Sequence, residues 1–327
     1  MFRTKEQDMT KTQEKLYELF CEIDEICKKN DIEYYIAGGT LIGAMRHKGF
    51  IPWDDDLDIM MTRKNYQKFI DYCRDNLPED RVFECQELNR GYHNMFGRYT
   101  DVSTSALHQS QMYHSDAAGY VIDILPLDAM PDKEETYQQY IKDLMLYSDL
   151  LNPYPIYSFR WNFNQNRYWR YRLKMLFVGK EKVLKEMESR LFCHDEDECD
   201  YLVMRWGGIP FIFDKSMYEG KRYEKLLEVD AQVPFRTSDY LVWHYGDNWY
   251  MLPPNQEQQT HEAIFSLEIP QGQLRQTVSK AVKPKFERVF LEIRKLLYFS
   301  AMKTLRDTKN TRRKLKAAAF SKDFSPK

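Results

Sequence analysis

Residues 53–61 read WDDDLDIMM, four aspartates in five positions running into an apolar stretch. Few chain conformations accommodate that pattern. Asp54, Asp55, Asp56 and Asp58 repel one another unless positive charge lies among them, and a packed core has no use for such a set. In a strand, residues two apart share a face. A strand over 56–61 is therefore expected to carry Asp54, Asp56 and Asp58 on one side and to turn Leu57 and Ile59 inward. Carboxylates on a stiff support suit a hard divalent cation, which takes oxygen ligands and commonly bridges to substrate phosphates. The commonplace alternative is an exposed acidic turn, but such a turn has no reason to alternate charges with Leu, Ile and Met. A calcium loop of the EF-hand kind fails. With Asp54 as its first position, Ile59 stands where glycine is needed and Asn65 where the bidentate glutamate belongs.

The residues around this run extend the argument. Upstream, residues 33–37 are expected as a short buried strand, turned by Gly38-Gly39 into a helix from Thr40 to about Arg46. Thr40 is the expected N-cap, and a glycine turn at a helix start offers backbone N–H groups to phosphate oxygens. Downstream, Val121-Ile122-Asp123-Ile124-Leu125 places one aspartate inside an apolar strand. Burying that carboxylate is costly unless it is paired or binds a metal, so a structural salt bridge and a third metal ligand are the two alternatives. Glycine turn, Asp-x-Asp strand and later single-Asp strand resemble the layout of the nucleotidyltransferase fold. That resemblance implies three carboxylates holding one or two Mg²⁺ ions, with Mn²⁺ as the substitute, against a nucleotide's phosphates.

Apolar residues at spacings of three and four (Leu16, Leu19, Phe20, Ile23, Ile26, Cys27) predict an amphipathic helix over residues 11–29, stopped at Asn30. A helix over 65–76, strands over 81–87, 92–101 and 119–125, and a helical region over 133–151 follow. The fold class expected is α+β: a nucleotidyltransferase-like mixed sheet with flanking helices plus a helical C-terminal extension. Its parts are an N-terminal helix (1–30), a catalytic core (31–152), a helical and strand region completing the site (153–270) and a basic helical tail (271–327). Residues 153–182 interleave aromatics with Arg and Lys, which suits an aromatic cage, sugar stacking, a membrane interface or plain helix packing. The net charge of −2 hides an asymmetry, because Lys280–Lys327 holds 15 Lys and Arg against 4 Asp and Glu. With its apolar stripe of Phe286, Val289, Phe290, Ile293, Leu296 and Leu297, the tail suits peripheral contact with an anionic membrane. No nucleic-acid recognition motif accompanies it. The polar opening 1–15 and the absence of a long apolar run predict a cytoplasmic protein, peripheral on the inner face of the membrane. The six cysteines contain no C-x-x-C pair and are expected as free thiols.

Three motifs sharpen the reading. YYIAGGTLIGAMRHKGFIPWDDDLDIMM (34–61), IDILPLD (122–128) and YGDNWYMLPP (245–254) resemble, in that order, the motifs of the LicD family of phosphocholine transferases, which includes the animal fukutin-related proteins. The likeness spans about residues 16–262. It implies transfer of a phospho-alcohol group, phosphocholine foremost, from a CDP-alcohol donor to a hydroxyl of a glycan or lipid-linked glycan acceptor. By the same resemblance, Asp56, Asp58 and Asp123 match the metal-binding carboxylates, and Gly38, Gly39 and Thr40 the phosphate-side turn. His47 and Lys48 match donor-phosphate contacts. One departure stands out: NQEQQTH (255–261) follows LPP where the family usually carries basic residues. A nucleotidyltransferase moving a nucleoside monophosphate, and a non-catalytic glycan- or lipid-binding protein, are the alternatives on the same fold.

Overall fold

Helix α1 spans Lys11–Lys29, the range its periodicity predicts. Thr10 and Gln13 close a capping box at its start, and Asn30 caps its end. Its apolar stripe is buried in the main core, where Leu19, Phe20 and Ile23 are fully enclosed. The computed structural model describes residues 9–108, 117–131, 134–151, 165–206, 209–254, 258, 260 and 263–274. All of them lie in one compact unit, Met1–Arg275. Residues 275–327 of the expected basic helical tail, and residues 153–164 of the aromatic-basic segment, lie outside the described residues.

After α1 come β1 (Tyr35–Ile36), α2 (Gly38–His47), β2 (Asp58–Thr62), α3 (Arg63–Asn76), β3 (Arg81–Glu84), β4 (Gly97–Asp101), β5 (Ser105–His108) and β6 (Tyr120–Ala129). Then follow α4 (Glu134–Leu151), α5 (Gln165–Val178), α6 (Lys180–Leu191), β7 (Tyr201–Trp206), β8 (Ile209–Asp214), β9 (Arg222–Leu226), β10 (Val229–Val233), α7 (Thr237–Tyr245) and β11 (Ala263–Ser266). The main sheet is mixed, in the order β1-β2-β6-β4-β3, and β7 and β8 extend it from β6. β2 and β6 run parallel, while β1–β2, β4–β6, β3–β4, β6–β7 and β7–β8 are antiparallel. Strands and helices are thus mixed as expected.

Several boundaries differ from expectation. β1 is only two residues long, and β4 begins at Gly97 rather than at residue 92. β6 continues to Ala129, four residues past its expected end, because its last residues pair with β7. Helices α4, α5 and α6 gather around a second core that includes Leu144, Leu150, Val183, Leu184 and Met187. Among the described residues no helix is long and apolar enough to cross a membrane, and all six cysteines are free thiols.

One ion-pair network fixes α1 to the sheet. Asp101, 1% exposed at its side chain, meets Lys15 of α1 at 2.7 Å and Arg81 of β3 at 3.2 Å. Burial opposes its ionisation, but Lys15, the Ser103 hydroxyl and Arg81 outweigh burial and hold the carboxyl below its ordinary value. A carboxyl depressed in the folded state contributes stability that is present above the unfolded value and lost as acid titrates the folded one. Asp101→Asn is therefore expected to cost about 2–3 kcal/mol near neutrality. The difference from wild type should shrink as pH falls through the carboxylate range, read from urea midpoints across pH.

Candidate active site

The acidic run is positioned by three residues, Gln13, Ala37 and Thr40. Gln13, buried on α1, donates through Nε2 to the carbonyls of Ile51 (3.1 Å) and Asp54 (2.9 Å). The Ala37 N–H donates to the Asp58 carbonyl at 3.0 Å, and the Asp58 N–H donates to Thr40 Oγ1 at 3.0 Å. Strand β2 starts only at Asp58, so Asp54, Asp55 and Asp56 belong to the segment leading into it. The strand alternation expected across Asp54, Asp56 and Asp58 is corrected accordingly: the first two precede the strand, and Asp54 is tethered by Gln13 rather than by pleat.

Asp58 and Asp123 are register partners on the parallel strands β2 and β6, so their side chains leave the sheet on the same face. Asp58 is buried at 3% exposure, and Asp123 keeps 18% of its side chain accessible. Burial raises the Asp58 carboxyl well above its usual range, and Asp56, Asp123 and Asp54 push it further, while Arg98 pulls the other way. Three acids therefore act on the buried Asp58 carboxyl. Arg98, opposite Asp123 on β4, donates through Nε to Asp123 Oδ1 at 2.9 Å. Asp123 is therefore salt-bridged, as one of the two expectations had it, and it also lies beside the acid cluster.

The glycine turn is built differently from expectation. Gly38 takes φ 53°, and α2 begins there with Ala37 at the N-cap. Thr40 is thus not the cap. The left-handed conformation at Gly38 lets the chain enter the helix two residues early, and the Thr40 hydroxyl serves the Asp58 amide instead. The Gly38 N–H donates to the Tyr240 hydroxyl of α7 at 3.3 Å. At Gly39 an added Cβ would lie 2.7 Å from Asp54 Oδ2, so the Asp54 carboxylate sits against the start of α2, where the helix dipole favours negative charge.

At the other end of α2, His47 Nε2 accepts from Arg46 Nε at 3.0 Å. Burial and then the Arg46 charge push its imidazole below the ordinary value. Arg46 also donates to the Met251 carbonyl at 2.9 Å, joining the first motif to the third. Lys48 adopts φ 58° and pairs with Glu224 of β9 at 3.1 Å. Asp56, Asp58 and Asp123 are thus drawn together with Gly39 and Thr40, and His47 and Lys48 contact α2 and β9 partners.

Four residues of this region escape sequence reasoning. Arg98 carried one signal, an arginine between Gly97 and Tyr99 on a strand expected in the core. Tyr240 of α7 carried none, since its partner Gly38 lies 202 positions away; Tyr245 opens the third motif, but nothing there indicated that its phenol would be raised by burial, Tyr240, Asp58, Asp54 and Asp56. Asp128, within IDILPLD, is buried and accepts both Arg63 Nε (2.6 Å) and Nη2 (2.8 Å). That bidentate contact gives the second acid of the motif a structural task.

Among the described residues no group of three His, Cys, Asp or Glu side chains is closed into a metal cage. The donor chemistry nonetheless fits a hard cation. All donors are carboxylate oxygens, the neighbouring acids raise the cost of ionising Asp58, and Arg98 is the cation that counters the Asp58 charge.

The acid cluster lies between a glycine-started helix and adjacent parallel strands. Residues 31–160 match the family described as LicD/FKTN/FKRP, nucleotidyltransferase domain, the likeness its motifs indicated. Among curated relatives, the lipopolysaccharide cholinephosphotransferase LicD of Haemophilus influenzae is 27% identical over 249 residues, which is 72% of this chain and 89% of that protein. The uncharacterized proteins RP689 of Rickettsia prowazekii and RT0683 of Rickettsia typhi are each 57% identical over 44 residues, 14% of this chain and 16% and 14% of theirs.

Proposed function

We propose that this protein transfers a phospho-alcohol group, phosphocholine foremost, from a CDP-linked donor to a glycan hydroxyl during synthesis of cell-surface polysaccharide, lipopolysaccharide or teichoic acid. The observation that carries the reading is the in-register placement of Asp58 and Asp123 on parallel strands, with Asp54 and Asp56 acting on the same buried point. The cholinephosphotransferase relative supports phosphocholine as the group transferred, and the mixed sheet with the glycine-started α2 supports a nucleotidyltransferase-like core.

In this reading Asp56, Asp58 and Asp123 hold Mg²⁺, one or two ions. When bound, the cation neutralises the donor pyrophosphate and stabilises the departing CMP. The acceptor hydroxyl oxygen bonds to the phosphorus carrying the alcohol, and the bond from that phosphorus to the bridging oxygen breaks. The hydroxyl proton passes to a carboxylate of the cluster, with Asp123, the more accessible, as the acceptor. Arg98 turns from Asp123 toward the donor phosphate. His47, kept neutral by burial and Arg46, offers its Nδ1–H to an oxygen, since Nε2 already accepts from Arg46. Gly39 brings the start of α2 close to the charged end of the donor.

The test is product analysis with the full chain, Mg²⁺ and a glycan acceptor. CMP released in step with phosphocholine transfer is the expected result. Pyrophosphate released from a nucleoside triphosphate would instead indicate nucleotidyl transfer, and no CMP from CDP-choline, CDP-glycerol or CDP-ribitol would favour a binding protein. The metal assignment has its own readout. In Arg98→Gln the acids lose their counter-charge, so the thermal midpoint without divalent cation is expected to fall by the equivalent of about 1–3 kcal/mol. Added Mg²⁺ should then raise it more than in wild type. Equal shifts in both proteins would show that cation and guanidinium do not share Asp123.

A further inference from the structure

Helix α5 turns large apolar side chains to solvent: Trp169 is 49% exposed, Leu173 55%, Leu176 81% and Phe177 81%. Their spacings of four, three and one place them on a single stripe. The helix already has a core partner, because Met175 is buried in the second cluster and Tyr168 and Tyr171 pack against it. The exposed stripe is therefore additional to what folding uses. At its end Gly179 takes φ 94° with nothing near its missing side chain, and the chain turns there into α6. Leu176 and Phe177 consequently stand at an open corner between two helices, with Val178 also exposed at 42%.

Charge identifies the occupant. Residues 165–178 contain Arg167, Arg170, Arg172 and Lys174 and no acid, and residues 165–191 contain eight Lys and Arg against three Glu, in a chain whose net charge is −2. Trp, Leu and Phe flanked by Arg and Lys is the composition of a helix lying in the headgroup plane of a bilayer. Part of the charge is already matched, with Arg167 on Asp143 and Lys174 on Glu186. Insertion of the apolar corner must therefore supply most of the affinity, with anionic headgroups adding to it.

We propose that this face of α5 docks the protein on an anionic lipid surface, with Leu176 and Phe177 entering the interface and Arg170 meeting lipid phosphates. The inference is independent of the reaction proposed above and of the basic tail. It is tested by co-sedimentation of the full chain with vesicles of phosphatidylcholine, with and without phosphatidylglycerol. Wild type should bind the anionic vesicles, and the double variant Leu176→Glu, Phe177→Glu should bind them at least about tenfold more weakly. The thermal midpoint should be unchanged, since both side chains are 81% exposed. Arg170→Gln should show a smaller loss that disappears at high salt. Undiminished binding by the double variant would overturn the proposal and leave the tail as the membrane contact. A wild-type dimer in light scattering that the double variant dissolves, with vesicle binding unaltered, would overturn it in favour of a second copy of the chain.

Discussion

Asp58→Asn is expected to reduce turnover of the CDP-linked donor by at least about 10²–10³-fold at saturating Mg²⁺, while leaving the protein as stable as wild type or more stable by about 1 kcal/mol. The two halves have one cause. Asp58 is 3% exposed, and its negative form is disfavoured by burial and then by Asp56, Asp123 and Asp54. A neutral amide of the same shape removes that repulsion and keeps the Asp58 N–H on Thr40 and its carbonyl on Ala37, both of which are backbone contacts. What disappears is the charge alone. A residue retained for folding would behave oppositely, losing stability when altered. Steady-state rates and thermal midpoints measured on one preparation separate the cases, and near-normal turnover would remove Asp58 from the reaction.

Gly43→Ala carries the largest expected loss of stability, about 3 kcal/mol, the upper end for overpacking. A Cβ there would lie 2.4 Å from the Gly49 carbonyl oxygen, 3.2 Å from the Ile51 nitrogen and 3.4 Å from the Phe50 carbonyl carbon. These are all main-chain atoms, so no side chain can swing aside. The gain in helix propensity, about 1 kcal/mol, is too small to compensate. The displaced segment leads into Asp54–Asp58, and its Ile51 and Asp54 carbonyls are the ones Gln13 holds. Activity should therefore fall together with the midpoint. Gly272→Ala, where an added methyl meets nothing within 4 Å, is the control and should leave both unchanged. A mild effect at Gly43 would show that α2 can shift without disturbing the acidic segment.

Local features were legible from the chain because their causes are local. The range of α1 follows from a stripe repeating every three to four residues between Thr10 and Asn30, and β2 and β6 follow from apolar runs bearing single acids. The three motifs carried the family, since their residue order is preserved whatever the packing. Other expectations failed where a distant partner decided the outcome. Thr40 reads as an N-cap from its neighbours, yet the Asp58 amide, eighteen positions on, claims its hydroxyl. The Gly38 N–H reads as open, yet Tyr240 accepts it across 202 positions.

By itself, then, the sequence determined the range of α1, that strands would run through Asp58 and Asp123, that acids would crowd at one place on the sheet, and the likeness of residues 31–160 to the LicD family. Tertiary structure alone decided that Asp58 and Asp123 stand in register, that Arg98 rather than empty space faces Asp123, and that Asp54 rests on the start of α2. The physical reason is range. Propensity and periodicity act over a few residues, whereas the charge felt by a buried carboxylate is set by whatever groups folding brings within a few ångströms, and a linear pattern does not encode those distances.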